Sequence, residues 1–365
     1  MARAGLQPEW KCWFANDFDL KKSSIYRQNW GDGELVTGDI RRLSLENLPS
    51  ITPALVWASF PCQDLSLAGA GAGLRGDRSG TFWPFWRLIE ALVHDGRAPG
   101  IIALENVCGT LTSHGGKDFE AIVNAYAQLG YRVGAMVIDA QFFVPQSRPR
   151  LFFVGVRDGN HEALAQAFAS DLWHPTALRR AHDRLPGSLQ NSWLWWDLPA
   201  PSKRNQRLID LIEFSPTDVE WHSPAETARL LSMMSNLHRA KIASARAAGM
   251  RIVGGLYRRT RRDENDNPIQ RAEVRFDDVA GCLRTPAGGS SRQTLMVVEA
   301  GKVRSRLISG RETARLMGLP DTYQLPERYN EAYHLTGDGV VVSVVRHLSQ
   351  HLLLPLMGPH RKMAA

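Results

Sequence analysis

A chain of 365 residues, 44% of them hydrophobic, can bury a sizeable core and is long enough for about two domains. Its four cysteines form no C-x-x-C pair and no H-E-x-x-H occurs, which argues against a zinc site or a disulfide framework. No apolar run approaches the roughly 20 residues of a membrane span, and residues 1–8 lack the apolar stretch of a signal peptide, so a cytoplasmic protein without metal or membrane partner is expected. The net charge is +7, yet residues 1–150 hold 15 basic and 15 acidic residues, so the whole excess follows residue 150. A neutral half joined to a basic half suits a polyanionic partner.

In chain order, apolar runs of strand length occur at 54–58, 100–104, 132–138 and 151–156, with helix-like segments at 82–93 and 118–129. This β-α-β-α alternation predicts a doubly wound, mostly parallel sheet flanked by helices. In such sheets ligands sit beyond the carboxyl ends of the strands. Two runs end there in loaded loops: Phe60-Pro61-Cys62-Gln63 and Glu105-Asn106-Val107. From about His174 to Gln206 the alternation fails, amid Trp193, Trp195 and Trp196, which reads as a domain boundary. Arg251, Arg258, Arg259, Arg261, Arg262 and Arg271 then cluster around a turn-like Asn265-Asp266-Asn267-Pro268, and a loop of small residues follows at 285–292. Ser309 with Glu312 predicts a capped helix to Met317.

A cysteine in a proline-stiffened loop at a strand end is placed to face a ligand, and thiolate is the most nucleophilic side chain near neutral pH. A buried, inert thiol fits that position as well. Glu105, at the end of the next strand, makes a nucleophile and acid pair with Cys62 the stronger reading. Arg148 and Arg150 stand at alternate positions, which in an extended segment share a face, and guanidinium forks suit carbonyl or phosphate oxygens. A plain surface pair of charges remains open.

The order Pro-Cys-Gln, Glu-Asn-Val, Gln-x-Arg-x-Arg, Arg311-Glu312-x-Ala314-Arg315-Leu316-Met317-Gly318-Leu319-Pro320-Asp321 and Gly337-Asp338-Gly339-Val340 resembles the motif series of DNA cytosine-5 methyltransferases of bacterial or phage restriction-modification type. The resemblance implies the class I S-adenosylmethionine-dependent fold: a catalytic and cofactor-binding domain over residues 1–175, a smaller basic target-recognition domain over 176–329, and a return to the first domain over 330–365. It implies that Cys62 adds to C6 of a flipped cytosine in duplex DNA, with Glu105 stabilising the developing charge and Arg148 and Arg150 contacting the base carbonyl and the active-site loop. S-adenosylmethionine would meet Asp17, Phe18, Asp39, Ile40, Pro61, Phe82, Asp338 and Val340. A glycine-rich stretch at 69–80 would close over the base. Gln63, Ser66, Arg259, Arg284 and Arg292 are implied as DNA contacts, the arginines as candidates for guanine edges. A cognate restriction endonuclease encoded nearby is the implied functional partner.

Two departures stand out. The family's opening Phe-x-Gly-x-Gly-Gly strand is absent, so either the start lies upstream or a second chain supplies the strand; otherwise a monomer is expected. Asp338 stands where asparagine is the usual residue. Two rival readings follow from the same residues, a truncated homologue that only binds DNA and an RNA cytosine-5 methyltransferase.

Overall fold

The computed structural model describes residues 1–60, 81–157, 161–284 and 292–358. It divides into two units: the first comprises residues 1–139, 149–202 and 342–365, the second 140–148 and 203–341.

In the first unit the apolar runs become strands β3 (Leu55–Ser59), β4 (Ile101–Asn106), β5 (Arg132–Asp139) and β6 (Pro149–Val156), ordered β3-β4-β6-β5. β3 and β4 are parallel, but β6 runs antiparallel to both β4 and β5. The expected mostly parallel sheet is therefore mixed. The reason lies in the connections. A helix, α3 (Phe82–His94), follows β3, and α4 (Lys117–Gln128) follows β4, so β3, β4 and β5 keep one direction. Between β5 and β6 there is only the segment 140–148, which offers no long crossover helix, and β6 returns reversed. A separate parallel pair, β1 (Ala15–Asp17) with β2 (Leu35–Thr37), brackets α2 (Leu20–Trp30).

The core beneath the four-stranded sheet gathers Phe82, Trp86 and Ile89 of α3, Phe119, Ile122 and Tyr126 of α4, and Leu104, Val133 and Phe153 of the strands. Gly155 on β6 is required by close approach: a Cβ there would lie 2.3 Å from the Tyr126 ring. Leu178, Ala181, Leu185, Leu189 and Trp193 belong to this same core. They come from α5 (Thr176–Asp183), α6 (Gly187–Asn191) and the stretch after it, where the tryptophans suggested a boundary. Helices α5 and α6 bury their apolar faces in this first unit, which takes in residues 149–202. Short α1 (Ala2–Leu6) packs on α12 (Val342–Leu348), where Gly5 leaves no room for a Cβ beside Val345. A two-residue ribbon pairs β7 (Ala165–Gln166) with β8 (Trp195–Trp196).

The second unit is built on an antiparallel sheet ordered β10-β9-β11-β12, from β9 (Ile252–Arg262), β10 (Pro268–Arg275), β11 (Thr294–Glu299) and β12 (Lys302–Leu307). Leu230 and Met234, on and just after α8 (Pro224–Ser232), and Ile242 of α9 (Asn236–Ala247) pack against Leu256, Ala272, Val274 and Met296. A short α7 (Leu208–Leu211) precedes them. The expected capped helix is α10 (Gly310–Leu316): Ser309 Oγ accepts from the Glu312 amide at 3.1 Å, and Glu312 Oε2 accepts from the Ser309 amide at 2.7 Å. α11 (Tyr329–Asp338) closes the unit. One helical stretch, 329–356, is apolar and long enough to compare with a membrane span, which the reading by apolar runs did not anticipate; 61% of its apolar window is buried.

Candidate active site

Parallel pairing sets Ser59 opposite Glu105, so both strands reach the same end of the sheet together. Directly paired residues share a sheet face, and Glu105 is opposite Phe152 on β6. Arg150, two residues before Phe152, is therefore the diagonal neighbour of Glu105 on that face. Its Nε lies 3.1 Å from Glu105 Oε1, and both side chains are largely buried, at 15% and 8% exposure. The buried carboxylate is held by a charge-assisted contact rather than left unpaired.

Asn106 ties the two strand ends together. Its Nδ2 donates to the Phe60 carbonyl at 3.3 Å, and its Oδ1 accepts from the Val107 amide at 2.8 Å and the Thr110 hydroxyl at 3.4 Å. Thus the residue two before Cys62 is anchored to the residue after Glu105. Pro61, Cys62, Gln63, Ser66 and the glycine-rich stretch 69–80 lie outside the described residues. Cys108 sits in the same neighbourhood, where burial pushes its thiol up to about 11 against the opposing pull of Arg150. It is a poor nucleophile at neutral pH.

The two arginines have different partners. Regular strand geometry begins at Pro149, so Arg150 lies on β6 and Arg148 just before it. Arg148 belongs to the second unit and is 2% exposed. Its Nη1 donates to the Leu283 carbonyl at 2.8 Å, and its Nη2 donates to those of Gly337 at 2.8 Å and Gly339 at 2.7 Å. Gln146, which sequence reasoning passed over although it opens the same Gln-x-Arg pattern, accepts from the Leu283 amide at 3.1 Å and donates to the Leu316 carbonyl at 2.8 Å.

Of the residues expected to meet the cofactor, Asp17 and Asp39 lie just at the ends of β1 and β2, which parallel pairing brings to one side; the Gly38 amide donates to the Asp17 carbonyl at 3.0 Å. Asp17 Oδ1 accepts from the Asp19 amide at 2.9 Å, and Asp39 caps a short turn over Ile40. Phe18 stands 70% exposed beside them. An acid at a strand end beside an uncovered aromatic ring fits a nucleoside, one group for ribose hydroxyls and one for a base face. Phe82, also expected to meet the cofactor, is fully buried, stacked on Trp86 with ring centroids 5.6 Å apart and set against Phe60 at 5.3 Å. Its ring supports Phe60, the last described residue before Cys62. In the second unit, Asp338 is exposed at the end of α11 and Val340 is buried.

Apart from Arg251, which precedes β9 and pairs with Glu299 at 2.5 Å, the basic cluster lies on the β9–β10 hairpin, where residues 258–262 are all exposed. Arg259 and Arg261 both reach Glu273, at 3.5 and 2.6 Å. Arg284 is exposed, and Arg292 donates to Asn330 Oδ1 at 2.6 Å while lying 5.8 Å from the Tyr329 ring centre.

The fold is shared with solved methyltransferases. The EhMeth methyltransferase of Entamoeba histolytica superposes with a TM-score of 0.61 at 12% identity, covering 97% of this chain and 95% of that one. The S. pombe Dnmt2 methyltransferase gives 0.54 at 17% identity, covering 95% and 91%. Among curated relatives, the Type II methyltransferase M.DsaV of Dactylococcopsis salina is 25% identical over 94% of this chain and 80% of its own length. M.HhaI of Haemophilus parahaemolyticus is 23% identical over 94% and 87%.

The family model for C-5 cytosine-specific DNA methylase matches residues 1–353, and the chain belongs to that family. It is a DNA (cytosine-5-)-methyltransferase, and the family's methyl donor is S-adenosylmethionine.

Proposed function

We propose that the chain methylates cytosine within a specific duplex sequence through a covalent adduct between Cys62 and C6 of a cytosine flipped out of the helix. The observation that carries this reading is the junction of strand ends: Ser59 registers with Glu105, and Asn106 holds the Phe60 carbonyl, so the loop bearing Cys62 is rooted beside a buried carboxylate. A target atom stacked in a duplex is out of reach of any such site, so the base must be extruded at a cost of a few kcal/mol.

Bound S-adenosylmethionine supplies the methyl group as an electrophilic carbon; Asp17 would hold its ribose hydroxyls and Phe18 its adenine face, with Asp39, Ile40, Pro61, Asp338 and Val340 around it. The Cys62 thiolate adds to C6 and pushes electron density to C5. Glu105, oriented by Arg150, accepts from the exocyclic amine and delivers a proton to the ring N3 as the thiolate adds, which neutralises the charge that develops there. C5 takes the methyl group as its bond to sulfur breaks, leaving S-adenosylhomocysteine; loss of the C5 proton to water and expulsion of the Cys62 thiolate then regenerate the aromatic base and the enzyme. Arg259, Arg284 and Arg292 are the proposed base-reading arginines, and Gln63 and Ser66 the proposed contacts on the catalytic side. A restriction endonuclease of the same specificity is the proposed functional counterpart.

Cys62→Ala tests the mechanism: methyl transfer is expected to vanish while duplex binding persists, and methylation surviving in the variant would overturn it.

A further inference from the structure

We infer that Arg148 is a positioning residue that fastens the backbone just before Arg284, a proposed DNA contact, to the turn around Asp338, a proposed cofactor contact, so that the two ligands are coupled through one buried guanidinium. The inference rests on the function proposed above. Its ground is the list of acceptors. Nη1 serves the carbonyl of Leu283 and, at 3.4 Å, the sulfur of Cys282; Nη2 serves the carbonyls of Gly337 and Gly339. The first pair directly precedes the exposed Arg284, a proposed base contact. The second pair flanks the exposed Asp338, a proposed cofactor contact.

A charge 2% exposed is tolerated only when it is well hydrogen-bonded, and here backbone carbonyls of two distant stretches of chain accept from both terminal nitrogens of the guanidinium. A planar fork with fixed donor directions holds both stretches in one arrangement; a lysine ammonium, a point charge with rotatable donors, cannot reproduce that geometry. Gln146 reinforces the first stretch from two residues away through the Leu283 amide. Moving either stretch therefore disturbs the bonds of the other. Because binding coupling is reciprocal, cofactor should tighten DNA binding by the factor with which DNA tightens cofactor.

The test uses the full chain, a fluorescent duplex carrying the sequence the wild type methylates, and S-adenosylhomocysteine as the cofactor-site probe. Each ligand is titrated alone and in the presence of the other, with wild type and Arg148→Lys. Wild type is expected to show coupling in the roughly 5–150-fold range usual for linked sites, and Arg148→Lys to retain binding of each ligand alone with coupling of about twofold or less. Undiminished coupling in a folded Arg148→Lys overturns the inference. Hydrogen exchange on the wild type keeps the test open where the variant does not fold: S-adenosylhomocysteine should slow exchange at the Leu283 amide, and an unchanged rate overturns the inference. Binding of both ligands by the wild type without coupling also sinks it while leaving the proposed function intact. Failure of the wild type to bind either ligand sinks the proposed function instead.

Discussion

Arg148 and Arg150 are two residues apart, yet one secures backbone carbonyls and the other a carboxylate. Arg150→Ala should leave Glu105 buried beside no guanidinium, and removing one partner of such a pair costs about 3 kcal/mol or more. Methylation should fall steeply and the first unit melt earlier; an unchanged melting temperature would show that Glu105 is held by other means. Glu105→Gln, which keeps the shape and removes the charge, should slow transfer by roughly 10²–10³-fold in single-turnover assays, the usual loss for a preorganised stabilising group. Cys108→Ser should leave the rate nearly unchanged, since burial keeps that thiol protonated. Glu105 and Arg150 were legible in the sequence because each sits where strand periodicity works. The carbonyl partners of Arg148 were not legible because they lie far along the chain, and the packing of Phe82 on Phe60 was hidden because an aromatic residue looks alike whether it lines a cleft or fills a core.

Capping and burial decide the elements, and they make their own predictions. His174, just before α5, is fully buried; its Nδ1 accepts from the Ser170 amide at 2.9 Å, which requires the neutral ring. Burial, with Arg179 nearby, lowers its pKa from 6.5 to about 4. Between those values the unfolded chain binds more protons than the folded one, so stability is complete above about 6.5 and declines as pH falls toward 4. Melting curves across that range should show the decline, and His174→Gln should flatten it; a parallel decline in the variant would assign it to other groups. On β12, Arg306 and Glu312 form an ion pair with both side chains at 0% exposure, and Glu312 also caps α10. Arg306→Met should destabilise the second unit by about 3–5 kcal/mol in denaturant titrations, as expected when one partner of a buried pair is removed. The α10 cap was readable from Ser309 and Glu312 alone. Its buried partner was not, because nothing local to Arg306 distinguishes it from the exposed arginines of the β9–β10 hairpin.

At the scale of the whole molecule, the charge asymmetry of the sequence has a structural counterpart in an exposed arginine-rich hairpin within the second unit. Arg292→Ala should relax discrimination at one base, read by methylating a randomised duplex; a uniform loss across sequences would make Arg292 a phosphate contact. The α/β character and the strand ends followed from short apolar runs separated by helical segments. The reversal of β6 did not, since it depends on how residues 140–148 return the chain, which is a tertiary matter. The most direct test of the account is to incubate the chain with labelled S-adenosylmethionine and duplex DNA of mixed sequence, beside tRNA and beside Cys62→Ala, and to map 5-methylcytosine. The account predicts label at C5 of cytosine within one sequence context in duplex DNA and none with the variant. Duplex binding without 5-methylcytosine, or label confined to tRNA, would contradict it.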